Sequence, residues 1–401
     1  MRETSETDGI RLYHATLPMR HGFDHPAASR CTSDSLLLEL TADGESGFGE
    51  CAPRPYVTGE TADGVSAQLR ERSARGLFET LRSRPAEELV AALRTDGFSA
   101  VFGIGGGNNL VCLLELAVLD LLGRRLGRAA ADLLPTTPGA PPAPGSLRIS
   151  QVLDLGTHVE DFLATRGPFH FVKVKASHDL ARDLATVTRL RQALGPEVPV
   201  MVDANMSWEG DQAVDHVRRL TACGVTLFEE PLRKGAYDDL RALRLSTGAS
   251  VMLDESVCGL DDARAAVRAG ACDAFNIRVS KCGGLFASAR IAEFAREHGL
   301  AFQVGVQVAE VGPLVFAGRQ LAFRLPDALT VESGQSDRYF ARPLVSPPPV
   351  VDRVANTVSP APGPGLGTVL DTAAERWAVA RYTPDTDQWH GPAPRRRPRK
   401  G

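Results

Sequence analysis

The sequence predicts an α/β protein in which a (β/α)7β variant of the TIM barrel carries an α+β capping domain. From residue 146 onward, short apolar runs ending in a polar residue alternate with helical stretches rich in Arg and Ala, a rhythm typical of βα units around a parallel sheet. Seven such units and an eighth candidate strand near 329–332 favour a barrel. The chain has 401 residues, 43% of them apolar, which is enough for a large core and a smaller companion domain. An open doubly wound sheet is the alternative.

The first 140 residues predict the α+β capping domain. Apolar patterning indicates three strands, followed by helical periodicity and then by a Pro-rich linker. The predicted strands lie at 10–17, 34–42 and 46–51, the helices at 61–84, 86–94 and 108–124, and the linker at 135–145.

The predicted barrel occupies residues 146–335, and its active site is expected at the C-terminal rim. Residues 336–382 are expected to pack back on the cap, and residues 383–401 are expected to form a basic, Pro-rich, disordered tail. The seven apolar runs lie at 148–153, 171–175, 199–203, 225–229, 250–254, 273–278 and 301–306.

Composition excludes several classes of function. The net charge of −4 argues against nucleic-acid or membrane-surface binding. Seven scattered cysteines, none in C-x-x-C spacing, argue against a disulfide framework or a zinc ribbon and favour a reducing compartment. The most apolar stretch, Leu110 to Leu122, is too short to span a membrane. We therefore expect a cytoplasmic protein, a homo-oligomer, that acts on a small molecule.

Charged residues stand where the predicted barrel strands end. Lys173 and Lys175 share one face of a strand because the side-chain period is two. Along the chain from Lys175, the next four strand ends carry three carboxylates and a lysine, with successive spacings of 28, 26, 25 and 27 residues. All of them should therefore lie at the C-terminal rim, where barrel enzymes have their active sites. These residues are Asp203, Glu229, Asp254 and Lys281.

Three carboxylates at one rim predict a hard divalent cation. At ~4–5 Å and an effective dielectric of about 20, each carboxylate pair would cost roughly 3–4 kcal/mol if nothing lay between them. Oxygen-only ligands select Mg²⁺, with Mn²⁺ possible, over zinc. Taken alone, a strand-end Asp is more often a helix N-cap, but three at regular barrel spacing favour metal ligands over that structural role.

The lysines predict acid–base chemistry. A second ammonium at ~6 Å costs about 2–3 kcal/mol, so Lys173 should lower the pKa of Lys175 toward that of a general base. Lys281 lies four strands further round, and we expect it on the opposite side of the substrate. Two bases that flank a carboxylate substrate fit proton transfer at carbon.

These residues resemble a known family. The set Lys-x-Lys, Asp-x-Asn, Glu-Glu-Pro, Asp-Glu-Ser and Ser-Lys-Cys-Gly-Gly is similar to that of the enolase superfamily. Within it, the chain resembles the muconate lactonizing branch, which has a lysine after the sixth strand where the mandelate racemase branch has a His–Asp pair. The resemblance covers residues 10–380 and includes Gly47-Phe-Gly-Glu50, like a signature of the capping domain.

The resemblance implies one Mg²⁺ ion held by Asp203, Glu229 and Asp254, with Lys175 and Lys281 as the acid/base pair. It implies that Lys173 tunes Lys175 and contacts a substrate carboxylate. It also implies that Asn205 is a polar residue near the metal and the substrate, and it leaves the role of Glu230 open.

Substrate contacts are expected from the loop after the seventh strand and from the cap. Gln307 should face the site, and Glu310 is a candidate neighbour of Lys281. In the cap, residues 19–30 and 52–61 should set specificity, with Arg54 and Tyr56 as candidate contacts; a purely structural role for the second segment is equally compatible with the sequence.

Three functions remain open. The first is a metal-dependent racemase or epimerase of an amino-acid-like or other carboxylate compound. The second is a cycloisomerase or a dehydratase (β-elimination) that uses the same enolate. The third, a non-catalytic binding barrel, predicts the loss of a ligand or a lysine, and the sequence has lost none.

Overall fold

The computed structural model describes residues 8–25, 28–135 and 142–391. Most of the predicted linker and the end of the predicted tail, residues 136–141 and 392–401, lie outside these ranges. Within the described ranges, no helix is long and apolar enough to cross a membrane.

The N-terminal part begins with five strands and continues with helices. The strands are β1 (Gly9–Ala15), β2 (Pro18–His25), β3 (Ala28–Thr32), β4 (Ser35–Ala42) and β5 (Glu45–Cys51). The helices are α1 (Pro55–Thr58), α2 (Ala62–Arg70), α3 (Arg75–Ser83), α4 (Ala86–Asp96), α5 (Phe98–Phe102) and α6 (Asn108–Leu126), followed by a 3-10 turn at Ala130–Leu133. The single helix predicted over 61–84 is thus two helices. Ser73 lies between them, and its hydroxyl accepts from the Arg75 amide (3.2 Å) where the second helix begins.

The barrel follows a short strand, β6 (Leu147–Arg148). Seven parallel strands form one sheet in sequence order, and helices connect them. The strands are β7 (Gln151–Leu153), β8 (Val172–Lys175), β9 (Val200–Asp203), β10 (Leu227–Glu229), β11 (Val251–Leu253), β12 (Ala274–Ile277) and β13 (Ala301–Val304). The helices are α7 (Val159–Arg166), α8 (Leu180–Leu194), α9 (Gly210–Ala222), α10 (Tyr237–Thr247), α11 (Leu260–Ala269), α12 (Val279–Cys282), α13 (Leu285–Glu297) and α14 (Pro313–Arg324).

The segment 329–332 joins the two edges of this sheet. Leu329 N donates to Phe302 O (2.8 Å) and Glu332 N donates to Val304 O (3.0 Å), so the segment pairs with β13. On its other side, Ser150 N donates to Val331 O (2.9 Å), directly before β7. The predicted eighth strand therefore closes the barrel as a bridge rather than as a full strand, and the predicted fold class is confirmed.

The C-terminal part returns to the cap. It contains α15 (Ser336–Tyr339), β14 (Val345–Ser346), β15 (Thr357–Val358), β16 (Val369–Leu370), a 3-10 turn (Thr372–Trp377), β17 (Ala378–Thr383) and β18 (Gln388–His390). The cap sheet is antiparallel in the order β18-β17-β1-β4-β5, so it combines strands from both ends of the chain.

The expectation of a disordered tail from Thr383 is wrong for its described part. β18 pairs with β17 through Tyr382 and Trp389, whose rings lie 5.3 Å apart. The Tyr382 hydroxyl donates to Asp387 (2.5 Å) in the intervening turn. The aromatic contact and the hydrogen bond in this turn stabilise a hairpin. The polar composition of the segment gave no sign of it.

Alternation along the barrel strands separates the interior from the outer layer of helices. One inward ring is apolar and forms a cluster of its own, made of Phe171, Met201, Leu227, Met252 and Ala274. Two residues further along each strand, the same inward face carries polar side chains, because the side-chain period is two. This second ring is Lys173, Asp203, Glu229, Asp254 and Asn276, and all five side chains are buried.

Close backbone packing and one carboxylate join the cap sheet to the helices behind it. A Cβ on Gly47 would lie 2.2 Å from Ala117 O, and one on Gly49 would lie 2.1 Å from Leu113 O, so only glycine lets β5 approach α6 this closely. Glu50 then accepts from the amides of Val311 (2.8 Å), Gly312 (2.9 Å) and Leu314 (3.0 Å) where α14 begins. The Gly-x-Gly-Glu motif thus fixes the cap against the barrel.

Candidate active site at the C-terminal rim

A cavity of about 480 Å³ lies at the carboxyl ends of the barrel strands. The strands supply charged side chains to it, and the N-terminal part supplies His21, Phe23 and Tyr56 from two segments. Each of the predicted cap segments, 19–30 and 52–61, therefore contributes residues to this cavity. Residues 26–27 of the first segment lie outside the described chain.

The three predicted metal ligands stand on neighbouring strands. Asp203 and Glu229 are register partners of β9 and β10, and Asp254 directly follows β11. Each is at most 3% exposed. Burial, reinforced by Asp203, raises the pKa of Glu229 to about 8 although Lys173 opposes the shift. The three carboxylates therefore repel one another at one rim, as their spacing predicts.

Lys173 is held between two carboxylates. Its Nζ lies 2.5 Å from Glu332 Oε1 and 2.8 Å from Glu229 Oε2, while Asp203 is 3.8 Å away. Burial alone would lower the pKa of Lys173, but Glu229 and Glu332 outweigh burial and raise it. Lys173 thus serves as a buried counter-charge inside the ring.

Lys175 reaches the cavity wall. Its Nζ lies 2.5 Å from Asp203 Oδ2 and donates to Asn205 Oδ1 at 3.0 Å. The expectation of a depressed pKa is wrong for this arrangement: burial and Lys173 lower the pKa of Lys175, but Asp203 outweighs both and raises it. The charge of Lys173 is itself neutralised by Glu229 and Glu332, which weakens its effect on its neighbour.

After β12 the chain carries two cations, and they take different positions. Arg278 lines the cavity, with Nε 2.8 Å from Asp254 Oδ1 and Nη1 2.6 Å from Gln307 Oε1. Lys281 has no exposed surface, and its ammonium donates to Asp254 O, Asn276 O and Asp254 Oδ1. Together these cations hold the pKa of Asp254 well below its usual range, against the opposing effect of burial. Contrary to the sequence expectation, the structure brings Arg278 rather than Lys281 to the cavity among the residues it describes.

Of the other residues predicted to contact substrate, some line the cavity and others lie behind its wall. Asn205, Gln307 and Tyr56 line the cavity. Arg54 is 1% exposed and donates to the backbone oxygens of Pro53 (2.7 Å) and Val308 (2.6 Å). Glu310 is buried and accepts from the Gln307 amide at 2.7 Å. Among the described side chains, then, neither Arg54 nor Glu310 lines this cavity; both hold the loop that carries Gln307.

The carboxylate set fits a divalent cation in its donor chemistry, since all its ligand atoms are oxygens. Among the described residues, no group of three His, Cys, Asp or Glu side chains is close enough together to hold a metal ion. Lysines and Arg278 lie between the carboxylates of the rim. Four cations and six buried carboxylates lie in and around this ring, and burial raises the pKa of Glu230 to about 7 and those of Glu229 and Glu255 to about 8. A bound divalent ion would favour the ionised forms of these three carboxyls. The cations are Lys173, Lys175, Arg278 and Lys281, and the carboxylates are Asp203, Glu229, Glu230, Asp254, Glu255 and Glu332.

Glu230 has a supporting position. It accepts from the amides of Asp254 (2.7 Å) and Ser256 (3.1 Å) and from the Ser256 hydroxyl. These bonds fix the turn that carries Asp254. Burial raises the pKa of Glu230 to about 7 although the Ser256 hydrogen bond lowers it.

Sequence reasoning missed three residues that the structure places in the candidate site. Asn276 donates to Glu229 Oε1 (2.6 Å), Glu332 pairs with Lys173, and Arg278 faces the cavity. Counting in steps of two along the sixth strand, from Ala274 to Asn276 and Arg278, would have found two of them. Glu332 had no such signal, because its segment is a bridge rather than a patterned strand.

Fold and site together define a class: a barrel enzyme with a carboxylate-ringed active site at the C-terminal rim, covered by an α+β cap. The profile of enolase C-terminal domain-like proteins matches residues 154–374. The chain therefore belongs to the enolase superfamily, as its motifs indicate.

Individual relatives agree with this assignment. An L-Lys-D/L-Arg epimerase of Methylococcus capsulatus is 31% identical, over 68% of this chain and 74% of that protein. A hydrophobic dipeptide epimerase of Citrifermentans bemidjiense is 30% identical, over 83% and 89%. The muconate lactonizing enzyme of Pseudomonas fluorescens shares the fold with a TM-score of 0.78 at 24% identity, over 94% and 100%. The chain is accordingly an enzyme, and the isomerase class fits it.

Proposed function

We propose that this enzyme removes the proton α to the carboxylate of a small-molecule substrate, with Lys175 as the base and with the help of Mg²⁺ or Mn²⁺. The observation that carries the proposal is the position of Lys175: its ammonium stands at the cavity wall beside Asp203 and Asn205, on the inward face of β8. A carboxylate substrate in the 480 Å³ cavity can present its α-carbon to this nitrogen.

Asp203, Glu229 and Asp254 would hold the metal. When bound, a divalent ion would favour the ionised forms of these carboxyls and stabilise the charge that develops on the substrate carboxylate. Lys173 keeps Glu229 in place, Asn276 donates to the other oxygen of Glu229, and Glu230 fixes the turn of Asp254. These neighbours orient the carboxylates before any substrate arrives.

Two outcomes of the reaction have separate support. Sequence similarity favours epimerisation, because two relatives near 30% identity are epimerases. The geometry favours cycloisomerisation, which needs one base, because the cavity wall beyond β12 carries Arg278 and a guanidinium is no proton acceptor. Both outcomes begin with the same proton abstraction by Lys175.

Deuterium exchange tests the common step. N-succinyl amino acids, dipeptides and muconolactone are incubated in D₂O with Mg²⁺, and proton NMR follows the α-hydrogen. We expect exchange in one substrate class and a loss of roughly 10²–10⁴-fold in Lys175→Met.

Arg233→Met is the matched control, since Arg233 is an exposed cation that pairs with Asp239 at 3.6 Å and does not line the cavity. It should retain the wild-type exchange rate. Wild-type exchange in Lys175→Met would contradict the assignment of the base.

A further inference from the structure

The strand β12 brings one cation, Arg278, to the cavity, and the position of this cation follows from strand geometry. Ala274, Asn276 and Arg278 alternate on the inward face, where Ala274 belongs to the apolar ring and Asn276 contacts Glu229. Arg278 keeps an extended backbone (φ −116°, ψ 121°) and so continues this alternation into the cavity. The one-turn helix α12 begins only after it.

Lys281 lies behind the cavity wall at the end of α12. Its ammonium has three N–H groups, and three acceptors surround it: Asp254 O (2.6 Å), Asn276 O (2.7 Å) and Asp254 Oδ1 (3.0 Å). Two of these are backbone oxygens at the ends of neighbouring strands, which do not move with side-chain rotamers. With no exposed surface, Lys281 ties the ends of two strands together.

Arg278 keeps a donor for a ligand. Three of its five N–H groups are engaged: Nε and one Nη2 proton by Asp254, and one Nη1 proton by Gln307. Glu255 Oε1 also lies 3.5 Å from Nη2, so the second Nη1 N–H is the donor left for a ligand, on a side chain that lines the cavity and is 7% exposed. Such a group donates to substrate oxygens but offers no lone pair to a C–H bond.

On the basis of the proposed function, we propose that Arg278 is the substrate-contacting cation across the barrel from Lys175 and that Lys281 is a positioning residue. The α-proton then leaves and returns on one face of the substrate only. Four strand-to-strand steps separate β8 from β12 around the sheet, so the two side chains approach the substrate from different sides.

The chemistry balances with a single base. Lys175 first releases its ammonium proton to solvent. Its neutral Nζ then takes the α-proton, the C–H electron pair moves into the carboxylate to form the enolate of the substrate, and Arg278 donates a hydrogen bond on the other side. The electron pair then either expels a group bonded to the β-carbon, which is the course of a ring opening or an elimination, or returns to the α-carbon and retrieves a proton from Lys175. The second course restores the original configuration.

The stereochemistry of exchange tests this. Each enantiomer of the substrate that exchanges is incubated separately in D₂O, with chiral chromatography beside NMR. We expect the wild-type enzyme to exchange one enantiomer, and the opposite enantiomer to accumulate at least about 100-fold more slowly. Arg278→Lys places a basic nitrogen on the second face and should gain exchange of the other enantiomer.

Arg233→Lys is the matched control. Arg233 is exposed and pairs with Asp239 at 3.6 Å, so the same chemical change there should leave the stereochemical course unaltered. Rapid interconversion of both enantiomers by the wild-type enzyme would overturn the inference while supporting the proposed α-proton abstraction.

A second measurement needs no substrate. The chain has five lysines, so reductive methylation followed by peptide mass spectrometry resolves each one. Among Lys234, Lys175 and Lys281 in the native protein, we expect exposed Lys234 to react fastest, Lys175 more slowly, and Lys281 at least about tenfold more slowly than Lys175.

This labelling separates the two proposals. Methylation of Lys281 as fast as that of Lys175 overturns its placement behind the wall, whatever the substrate tests give. Absence of exchange from every compound in the panel counts against the proposed function, and the labelling order then decides the placement of Lys281 alone.

Discussion

Glu50 contributes to stability through three backbone amides rather than through a cation. Its carboxylate is fully buried and accepts from Val311, Gly312 and Leu314 at the start of α14. Burial raises the pKa of Glu50, and these backbone bonds oppose the shift. One side chain of the cap therefore satisfies the unpaired amides of a barrel helix.

Glu50→Gln should lower the free energy of unfolding by about 2–3 kcal/mol, because the neutral amide has one acceptor oxygen and sets an N–H group against the helix amides. Urea denaturation followed by circular dichroism measures the change. Glu45→Gln, on the exposed end of the same strand, should change the free energy by less than about 0.5 kcal/mol. Equal effects of the two substitutions would contradict the role of Glu50.

Sequence reasoning correctly placed at the rim the acidic residues and lysines that stand at the ends of barrel strands. Asp203, Glu229, Asp254, Lys173 and Lys175 all stand on the inward face of the rim because strand spacing and side-chain alternation fix both height and direction. The position of Lys281 could not be predicted this way, since a helical turn between residues 278 and 281 breaks the alternation. Nor could the sequence reveal that Asp203 would raise the pKa of Lys175.

At the scale of elements, β5 and α6 are in backbone contact. Gly47→Ala would place its Cβ 2.2 Å from Ala117 O and 2.6 Å from Leu121 N, both backbone atoms that cannot yield without moving the helix. We expect the free energy of unfolding to fall by about 1–3 kcal/mol, measured by urea denaturation, as in overpacked cores.

Gly76→Ala is the control for this prediction. Gly76 lies in α3, a Cβ there meets nothing within 4 Å, and alanine has the higher helix propensity. That substitution should leave stability unchanged or raise it by up to about 1 kcal/mol. A neutral Gly47→Ala would show that the strand and helix are further apart than described.

The helix α13 begins against a buried carboxylate of the cap. Glu115, on α6, accepts from the Phe286 amide at 3.2 Å, and a Cβ on Gly284 would lie 2.2 Å from Glu115 Oε1. Burial raises the pKa of Glu115 to about 8, more than the backbone bonds lower it. The folded protein therefore holds the Glu115 proton more tightly than the unfolded chain does.

The stabilisation from Glu115 should be complete below its ordinary pKa of 4.5 and should be lost as the pH rises through about 8. Between pH 5 and pH 8 this carboxyl contributes a decline of up to about 1.4 kcal/mol per pH unit. Urea denaturation across this range should show a shallower decline for Glu115→Gln than for the wild type. Glu88→Gln, at an exposed position, should follow the wild-type profile.

The elements themselves were predictable to different degrees. Apolar runs and spacing located the seven barrel strands, because each βα unit repeats the same pattern. The break between α2 and α3 lies at Ser73, whose hydroxyl donates to Asp387 (2.5 Å) in the distant turn between β17 and β18. Such contacts leave no local periodicity in the sequence.

At the scale of the whole molecule, a metal ion that binds the carboxylates of the folded rim but not the unfolded chain should couple metal binding to stability. Mg²⁺ at 100 times its dissociation constant would add about 2.7 kcal/mol to the free energy of unfolding. Thermal denaturation with and without a chelator measures the coupling. We expect Mg²⁺ to raise Tm, a chelator to reverse this, and Asp203→Asn to weaken the shift.

Asp211→Asn is the matched control for metal binding, since Asp211 is exposed in the first turn of α9. Its metal-dependent shift in Tm should equal that of the wild type. An identical shift in Asp203→Asn, or none in the wild type at millimolar Mg²⁺, would contradict the proposed ligand set.

The pairing of β1 with β17 has a consequence for synthesis of the chain. Ile10 lies opposite Tyr382, so β1 is made first and obtains this neighbour only after the whole barrel has left the ribosome. At about 5–20 residues per second, that interval is roughly 20 s to more than a minute. During this time one edge of β1 has unpaired backbone N–H and C=O groups, which can form hydrogen bonds with another nascent chain. Folding in the cell therefore depends on how long this strand edge stays exposed. Translation speed sets that time, and chaperones that cover the edge reduce the exposure.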